Sequence, residues 1–96
     1  MKATRILNDR RQISDNMFAQ MVIWHVPAPL KGSEHQFKYR LAFVVDGVCV
    51  MRYDNEAGKG DHKHIGEREV PYTFEGIRQL LEDFRADMEG WIDEHA

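Results

Sequence analysis

The end of the chain has the hydrophobic periodicity of an amphipathic helix. Apolar residues recur there at alternating steps of three and four, at Phe74, Ile77, Leu81, Phe84, Met88 and Trp91. This spacing puts their side chains on one side of a helix, so we predict a helix from residue 74 to about residue 93. Thr73 is the expected N-cap, because its hydroxyl can accept from a free amide N–H and Pro71 disfavours helix just before it.

Upstream, the period changes to two, which predicts strands. The run from Phe37 to Val45 alternates, and a second apolar run follows from Val48 to Tyr53. Asp46-Gly47 between them favours a two-residue type I′ turn, because both central positions of that turn need positive φ. A regular hairpin then predicts four pairs, which are Val45 with Val48, Phe43 with Val50, Arg40 with Tyr53, and Tyr39 with Asp54.

Three further segments complete the predicted sheet. Residues 17 to 26 form an apolar strand, and residues 3 to 13 form another that Asn8-Asp9-Arg10-Arg11 interrupts as a turn would. Residues 62 to 65 return beside Tyr53 as a strand. The sum is an α+β fold, an antiparallel meander of four or five strands with one C-terminal amphipathic helix packed on one face, in a single domain over residues 1 to 96.

Charge is unevenly spread along the chain. The net charge is −3, but residues 1 to 66 carry ten Lys and Arg against seven Asp and Glu, whereas residues 67 to 96 carry three against nine. Residues 1 to 66 can therefore bind phosphates, and the acidic excess of residues 67 to 96 is expected on the solvent-exposed face of the helix. The single Cys49 is expected to be a small buried hydrophobe. With no membrane-length apolar run and no signal-peptide pattern, we expect the cytoplasm.

The segment Tyr53 to His64 has the composition of a functional site. Its glycines let the backbone approach other groups, its carboxylates and imidazoles can move protons, and its lysines can hold an anion. Cleavage of RNA at its 2′-hydroxyl needs a base, an acid and cations around the phosphate. The predicted catalytic residues are His62, His64 and Asp54. The predicted substrate-binding residues are Arg40, Arg52, Tyr53, Lys59 and Lys63.

Several motifs of this chain resemble the TumE family, small toxins of bacterial toxin and antitoxin operons. They are Trp24-His25-Val26-Pro27, the hairpin from Tyr39 to Gly47, Tyr53-Asp54-Asn55-Glu56, Gly58-Lys59-Gly60-Asp61-His62-Lys63-His64, and the helix ending in Trp91. The resemblance implies a cytoplasmic toxin neutralised by a co-encoded antitoxin, usually one with a helix-turn-helix domain. Among small toxins of this kind the commonest activity is RNA cleavage, so we expect a type II toxin that is a metal-independent ribonuclease without a cofactor.

Other functions stay open at this stage. Nucleotidyl transfer can replace cleavage, and which histidine is acid and which is base is undetermined. His62, His64 and Glu69 have the spacing of a cupin metal motif, which would make the protein a metal-dependent enzyme. A third hypothesis is a protein-binding module, or a homodimer, that uses an exposed face with Met17, Met21, Ile23 and Trp24. The charged loop can also simply form surface ion pairs.

Overall fold

The computed structural model describes residues 3 to 96 as one antiparallel sheet with a C-terminal helix. The strands pair in chain order from β1 to β6. Their bounds are β1 Thr4–Ser14, β2 Met17–His25, β3 Phe37–Val45, β4 Val48–Glu56, β5 Gly60–Ile65 and β6 Arg68–Pro71, and the helix α1 spans Ile77–Glu94. The predicted α+β meander is confirmed, with six strands in place of four or five.

The difference in strand number comes from the two ends of the sheet. β1 continues without a turn through Asn8 to Arg11 and pairs with β2 along its length. The polar run there is the exposed part of an edge strand, where alternation is weak because neither face is deeply buried. At the other edge, the short β6 pairs with β5, so that Glu69 faces His64. This sixth strand was missed.

The turn between β3 and β4 has the predicted form. Asp46 has φ 51° and Gly47 has φ 78°, which is the pair of positive values that a type I′ turn requires. The pairing of Val45 with Val48 is confirmed.

Beyond the turn, a β-bulge makes the other three predicted pairs wrong. Phe43 pairs with Met51, and Arg40 pairs with Asp54, because Val50 is an extra residue in β4. A shift of one residue moves side chains to the other face of a sheet. The bulge therefore sends Tyr53 to the face that carries Leu41 and Phe43, and it sends Asp54 to the opposite face.

The hydrophobic core lies between one face of the sheet and α1. Tyr39, Leu41 and Phe43 of β3 and Tyr53 of β4 are each at most 1% exposed. Helix side chains meet them edge to face, with 5.6 Å between the ring centroids of Trp91 and Phe43 and 5.5 Å between those of Phe84 and Tyr53. The predicted apolar stripe of the helix is thus the side that faces the sheet.

The helix begins later than predicted, and Thr73 is not its N-cap. Gly76, with φ 115°, occupies the N-cap position, and no side chain caps the first turn. Phe74 lies before the helix, where its ring stacks on that of His35 at 3.8 Å between centroids. Phe74 packs against the loop that connects β2 with β3, and this packing keeps residues 72 to 76 out of the helix.

Two further expectations about surfaces are corrected. Cys49 is exposed, because it lies next to the β3–β4 turn at the end of the sheet. The proposed apolar docking face is divided between the two sides of β2, since Ile23 is fully buried in the core and Trp24 points the other way. Across residues 3 to 96, no helix is both long and apolar enough to span a membrane.

Candidate functional site

The face of the sheet opposite α1, here called the open face, carries most of the predicted site residues. Strand pairing puts Arg40, Asp54 and His62 in one row across β3, β4 and β5. Arg52 and His64 form the next row on β4 and β5. Because side chains on directly paired residues point to the same face, the pairing gathers five charged or titratable side chains within two adjacent rows.

Asp54 and His62 form the buried centre of this cluster. They are 5% and 4% exposed, and His62 Nε2 lies 2.7 Å from Asp54 Oδ1. The Nδ1–H of His62 donates to the carbonyl oxygen of Gly60 at 3.1 Å. The imidazole is therefore held at one nitrogen by the backbone, and its other nitrogen lies beside the Asp54 carboxylate.

Arg52 joins this centre to the second imidazole. Its Nε lies 3.0 Å from Asp54 Oδ2, and its Nη2 donates to His64 Nε2 at 3.2 Å. The rings of His62 and His64 are 4.9 Å apart between centroids. The arrangement brings two imidazoles, one carboxylate and one guanidinium into contact.

Two atoms at the centre lack hydrogen-bond partners within residues 3 to 96. They are Arg52 Nε and Asp54 Oδ1, and both are buried. Each lies near an oppositely charged partner, but the N–H bonds do not point at the carboxylate oxygens. An unsatisfied buried polar atom costs about 1 to 3 kcal/mol and is unusual in folded proteins. Polar groups of a bound molecule, or water, can satisfy them.

Glu69 of β6 borders the cluster and was recognised in the sequence only as a possible metal ligand. Its Oε2 is 3.7 Å from His64 Nδ1, and its Oε1 is 3.5 Å from Lys59 Nζ. Desolvation is the largest single influence and raises the pKa of Glu69, but the charges of Lys59, His64 and His62 and the hydrogen bond from Lys59 together outweigh it and lower the pKa. Lys59 thus lies at the border of the site, paired with an acid.

The same cluster contains a possible ligand set for a metal ion. Asp54, His62 and His64 each offer one ligand atom, and these atoms lie within 4.8 Å of one another. This set differs from the predicted one, because Asp54 takes the place of Glu69. Two imidazoles and a carboxylate suit transition metals, although the neighbouring Arg52 guanidinium would repel a cation.

Two predicted substrate-binding residues do not join the cluster. Tyr53 is fully buried in the core, where its hydroxyl donates to the carboxylate of Asp87. Lys63 lies on the same covered face and donates to Asp87 at 2.9 Å. Both side chains alternate with the cluster residues along β4 and β5, so they point toward α1. A buried Tyr53 ring has no free face on which an RNA base could stack.

The comparison with protein families agrees with the motifs on these strands. The family model described as Toxin TumE matches residues 2 to 92 of the 96-residue chain. The chain belongs to the TumE toxin family. No curated protein and no solved structure matched the chain. A toxin of this family implies an antitoxin as its partner.

A second polar cluster of this TumE family toxin holds the β2–β3 loop and was not predicted. Asp61 accepts hydrogen bonds from Ser33 Oγ at 2.5 Å, His35 Nε2 at 2.6 Å and the hydroxyl of Tyr39 at 2.7 Å. Burial and then the hydrogen bond to Asp61 raise the pKa of Tyr39 far above its ordinary value, so its hydroxyl stays protonated. Asp61 had been considered only as a proton carrier, because no sequence pattern connects it with residues 33 to 39.

Asn55 on β4 also holds the start of β3, through two hydrogen bonds. Its Oδ1 accepts from the amide of Tyr39 at 3.0 Å, and its Nδ2 donates to the carbonyl oxygen of Phe37 at 2.7 Å. Asn55 is 1% exposed, so it replaces ladder hydrogen bonds at a place where β3 and β4 separate. In the Tyr53-Asp54-Asn55 motif, Asp54 therefore belongs to the open face, while Tyr53 and Asn55 are structural.

Two glycines bring the β2–β3 loop against the start of β5. A Cβ built on Gly60 would lie 2.7 Å from the carbonyl oxygen of Gly32, and one built on Gly32 would lie 2.8 Å from the amide nitrogen of Gly60. Both glycines also have positive φ. Within the Gly58-Lys59-Gly60 part of the motif, Gly60 is therefore needed for a close backbone contact with Gly32. This contact positions the Gly60 carbonyl, which accepts the hydrogen bond from His62.

Proposed function

We propose that this toxin cleaves RNA without a metal ion, by proton transfer between His62, His64 and the reacting oxygens. The observation that carries the proposal is the contact of the His62 and His64 rings, which are 4.9 Å apart between centroids. Arg52 links them, because it donates to His64 and pairs with Asp54, which contacts His62. A base, an acid and a cation within one cluster are what transesterification at a phosphate requires.

In the proposed reaction, His64 is the base and His62 is the acid. His64 takes the proton of the RNA 2′-hydroxyl at Nε2, in exchange for the hydrogen bond from Arg52, while the 2′-oxygen bonds to phosphorus and the bond from phosphorus to the 5′-oxygen breaks. His62 gives its Nε2 proton to that leaving oxygen. The products are a 2′,3′-cyclic phosphate and a free 5′-hydroxyl, with one proton taken up and one released.

The assignment follows the different partners of the two rings. Arg52 donates to His64 Nε2, so that nitrogen is an acceptor, whereas His62 donates from Nδ1 to the Gly60 carbonyl and its Nε2 lies 2.7 Å from Asp54 Oδ1. The His62 N–H does not point at Asp54, so this proton can move to a substrate oxygen. A shallow cleft of about 210 Å³, lined by Lys59, Glu69 and Pro71 among others, reaches His62. Arg52 and Arg40 supply positive charge for the phosphorane.

We further propose that the partner is a protein, as in type II systems, and that the toxin acts in the cytoplasm. Membership of a toxin family supports a neutralising partner. A toxin that cleaves RNA requires tight control, which a bound antitoxin provides by covering the open face. Co-purification with the protein encoded beside it, followed by loss of RNA cleavage in the complex, tests this part of the proposal.

The experiment for the reaction uses purified toxin and total RNA, with and without a chelator. Cleavage should persist in chelator and leave 2′,3′-cyclic phosphate ends, and a 2′-deoxy nucleotide at the cleaved position should prevent it. His64→Gln and Arg52→Gln should each lower the cleavage rate by about 100-fold or more, the usual contribution of such a group.

Matched variants exclude indirect effects. His95→Gln changes an exposed histidine at the end of α1, and Arg78→Gln changes an exposed helix arginine. Both should cleave like the natural protein. Cleavage that stops in chelator would replace our proposal with a metal-dependent enzyme at Asp54, His62 and His64. No cleavage of RNA in any condition would favour the protein-binding module.

A further inference from the structure

A cleft next to the catalytic cluster extends beyond the residues that the proposed chemistry uses. It has a volume of about 330 Å³, and its charged and aromatic lining includes Trp24, the cations Lys38, Arg40 and Arg52, and the acids Asp54 and Glu56. Arg40, Arg52 and Asp54 belong to the cluster, so the cleft opens directly from it. Trp24 on β2 and Lys38 on β3 lie farther from the imidazoles.

Two cations of this cleft are free of acidic partners. Lys38 and Arg40 are exposed, and neither makes an ion pair with a carboxylate in the part of the chain from residue 3 to residue 96. They are two positions apart on β3, so they point to the same face and lie about 6.6 Å apart along the strand. Such a row of unpaired positive charge suits successive phosphates of a nucleic-acid backbone.

An aromatic ring lies beside this row. Trp24 is paired with Lys38 across β2 and β3, and Lys38 Nζ lies 5.9 Å from the centroid of the indole ring. The indole is partly buried and lies on the open face, whereas Trp91, which is also partly buried, packs edge to face on Phe43 on the covered side of the sheet. An open aromatic ring next to cations is the combination with which proteins bind unpaired bases.

We infer that this cleft binds a nucleotide of single-stranded RNA next to the cleaved bond, with its base stacked on Trp24 and its flanking phosphates on Lys38 and Arg40. The inference rests on the proposed function, since it names the substrate class of the same site. A duplex does not fit this role, because each of its bases is covered by neighbouring base pairs and cannot stack on a side chain.

The two tryptophans of the chain allow a direct test. In a Trp91→Phe variant the fluorescence reports on Trp24 alone, and in a Trp24→Phe variant it reports on Trp91 alone. The ligand is a 2′-O-methyl oligonucleotide, which cannot be cleaved through its 2′-oxygen. We expect saturable quenching in the Trp91→Phe variant and none in the Trp24→Phe variant. The same oligonucleotide in a duplex should not quench Trp24.

Affinity gives a second measurement that does not depend on Trp91→Phe folding normally. With a labelled oligonucleotide and anisotropy as the readout, Trp24→Ala should weaken binding about 5- to 100-fold. Lys38→Gln should weaken it less and reduce the slope of log affinity against log salt by about 0.7, as expected for one lost phosphate contact on a single strand. Arg78→Gln, on the far side of the molecule, is the matched control and should bind normally.

The outcomes separate the subsite from the reaction. Quenching of Trp24 by an RNA that is never cleaved would support the subsite and overturn the nuclease. Cleavage with an unchanged KM in Trp24→Ala, or quenching of Trp91 in place of Trp24, would overturn the subsite and leave the nuclease intact. Equal affinity for the duplex would overturn the single-strand inference.

Discussion

Alternate residues of the same strands form the covered and open faces of the sheet, yet the polar groups of the two faces differ in whether they have hydrogen-bond partners. On the covered face, the hydroxyl of Tyr39 is bonded to Asp61 and that of Tyr53 to Asp87, beneath a helix. On the open face, buried atoms of Arg52 and Asp54 lack hydrogen-bond partners within residues 3 to 96. Polar groups that maintain the fold are satisfied, whereas polar groups available to a ligand are not.

The comparison also explains why the motif residues do not share one role. Tyr53, Asn55 and Lys63 alternate with Asp54, His62 and His64 along two neighbouring strands. The first three contact the helix or β3, and the last three form the cluster on the open face. Substitutions at adjacent positions should therefore change different properties of the protein, stability on one side and RNA cleavage on the other.

Among single substitutions, the largest effect on stability is expected for Phe43→Ala on the covered face. Phe43 is fully buried and meets Trp91, so removing its ring leaves a cavity and should cost about 3 to 5 kcal/mol in the free energy of unfolding. Val44→Ala, one residue farther on the other face, is the matched control. Urea denaturation measures both. A loss below about 1 kcal/mol for Phe43→Ala would contradict the assignment of the core face.

The tyrosines of the covered face predict a steep loss of stability in alkali. Burial, and then hydrogen bonds to Asp61 and Asp87, raise the pKa of Tyr39 and Tyr53 in the folded state. Between the unfolded value near 10 and these raised values, only the folded chain keeps the two protons. Their contribution is complete below pH 10, and above it stability should fall by about 1.4 kcal/mol per pH unit for each tyrosine.

Denaturation at a series of pH values from 8 to 11 checks this expectation. Tyr53→Phe removes one titrating hydroxyl, so its slope above pH 10 should be smaller than that of the natural chain. His95→Gln, at the exposed end of the helix, should leave the slope unchanged. Equal slopes in the natural and Tyr53→Phe proteins would mean that Tyr53 loses its proton as easily when folded as when unfolded.

Deletion of Val50 tests how the bulge divides the two faces. Without Val50, the pairs of Val44 with Cys49 and Phe43 with Met51 become consecutive in a regular ladder. The chain should therefore fold with both faces intact and lose only about 1 to 2 kcal/mol, including the hydrogen bond from the Gly66 amide to the Val50 carbonyl. RNA cleavage should remain.

Deletion of Ala42 from the regular strand β3 is the control for that variant. It shifts Tyr39 and Leu41 relative to Phe43, so part of the core would point to the open face, and cooperative unfolding should be lost. If deletion of Val50 instead abolishes folding, the bulge contributes to the core more than its pairing implies.

The smallest effect on stability is expected for variants at the open face. His64→Gln and Lys59→Ala remove partly exposed side chains with weak ion pairs, so unfolding should change by less than about 0.5 kcal/mol, while growth inhibition on expression is lost. Thermal melting and colony counts measure the two properties. Retained toxicity with a broadened melting transition would reverse the roles that we give to these residues.

Much of the fold follows from local patterns. The three- and four-residue spacing from Ile77 to Trp91 predicts the helix, and Asp46-Gly47 predicts the turn with two positive φ values. These features depend on neighbours in the chain. The helix start at Gly76 was missed because Phe74 packs on His35, a residue far away in the sequence, and tertiary packing overrides a capping preference.

The site was predictable in composition and less so in arrangement. His62 and His64 share a face because they lie two residues apart in a strand, and this needed only the strand prediction. The faces of Tyr53 and Asp54 depended on the bulge at Val50, within an apolar run that gives no alternation from which to read a register. The placement of Glu69 needed β6, a strand of four residues that is too short to give a periodic signal.

The contact of Gly32 with Gly60 fixes the position of both the β2–β3 loop and the buried imidazole of His62. The carbonyl of Gly60 orients His62, while its Cα leaves no room for a side chain beside Gly32. A methyl group at either position would clash with the backbone of the other glycine. The clash would displace the Gly60 carbonyl and rotate the His62 ring. Gly32 and Gly60 are therefore both needed to keep the His62 ring in its orientation.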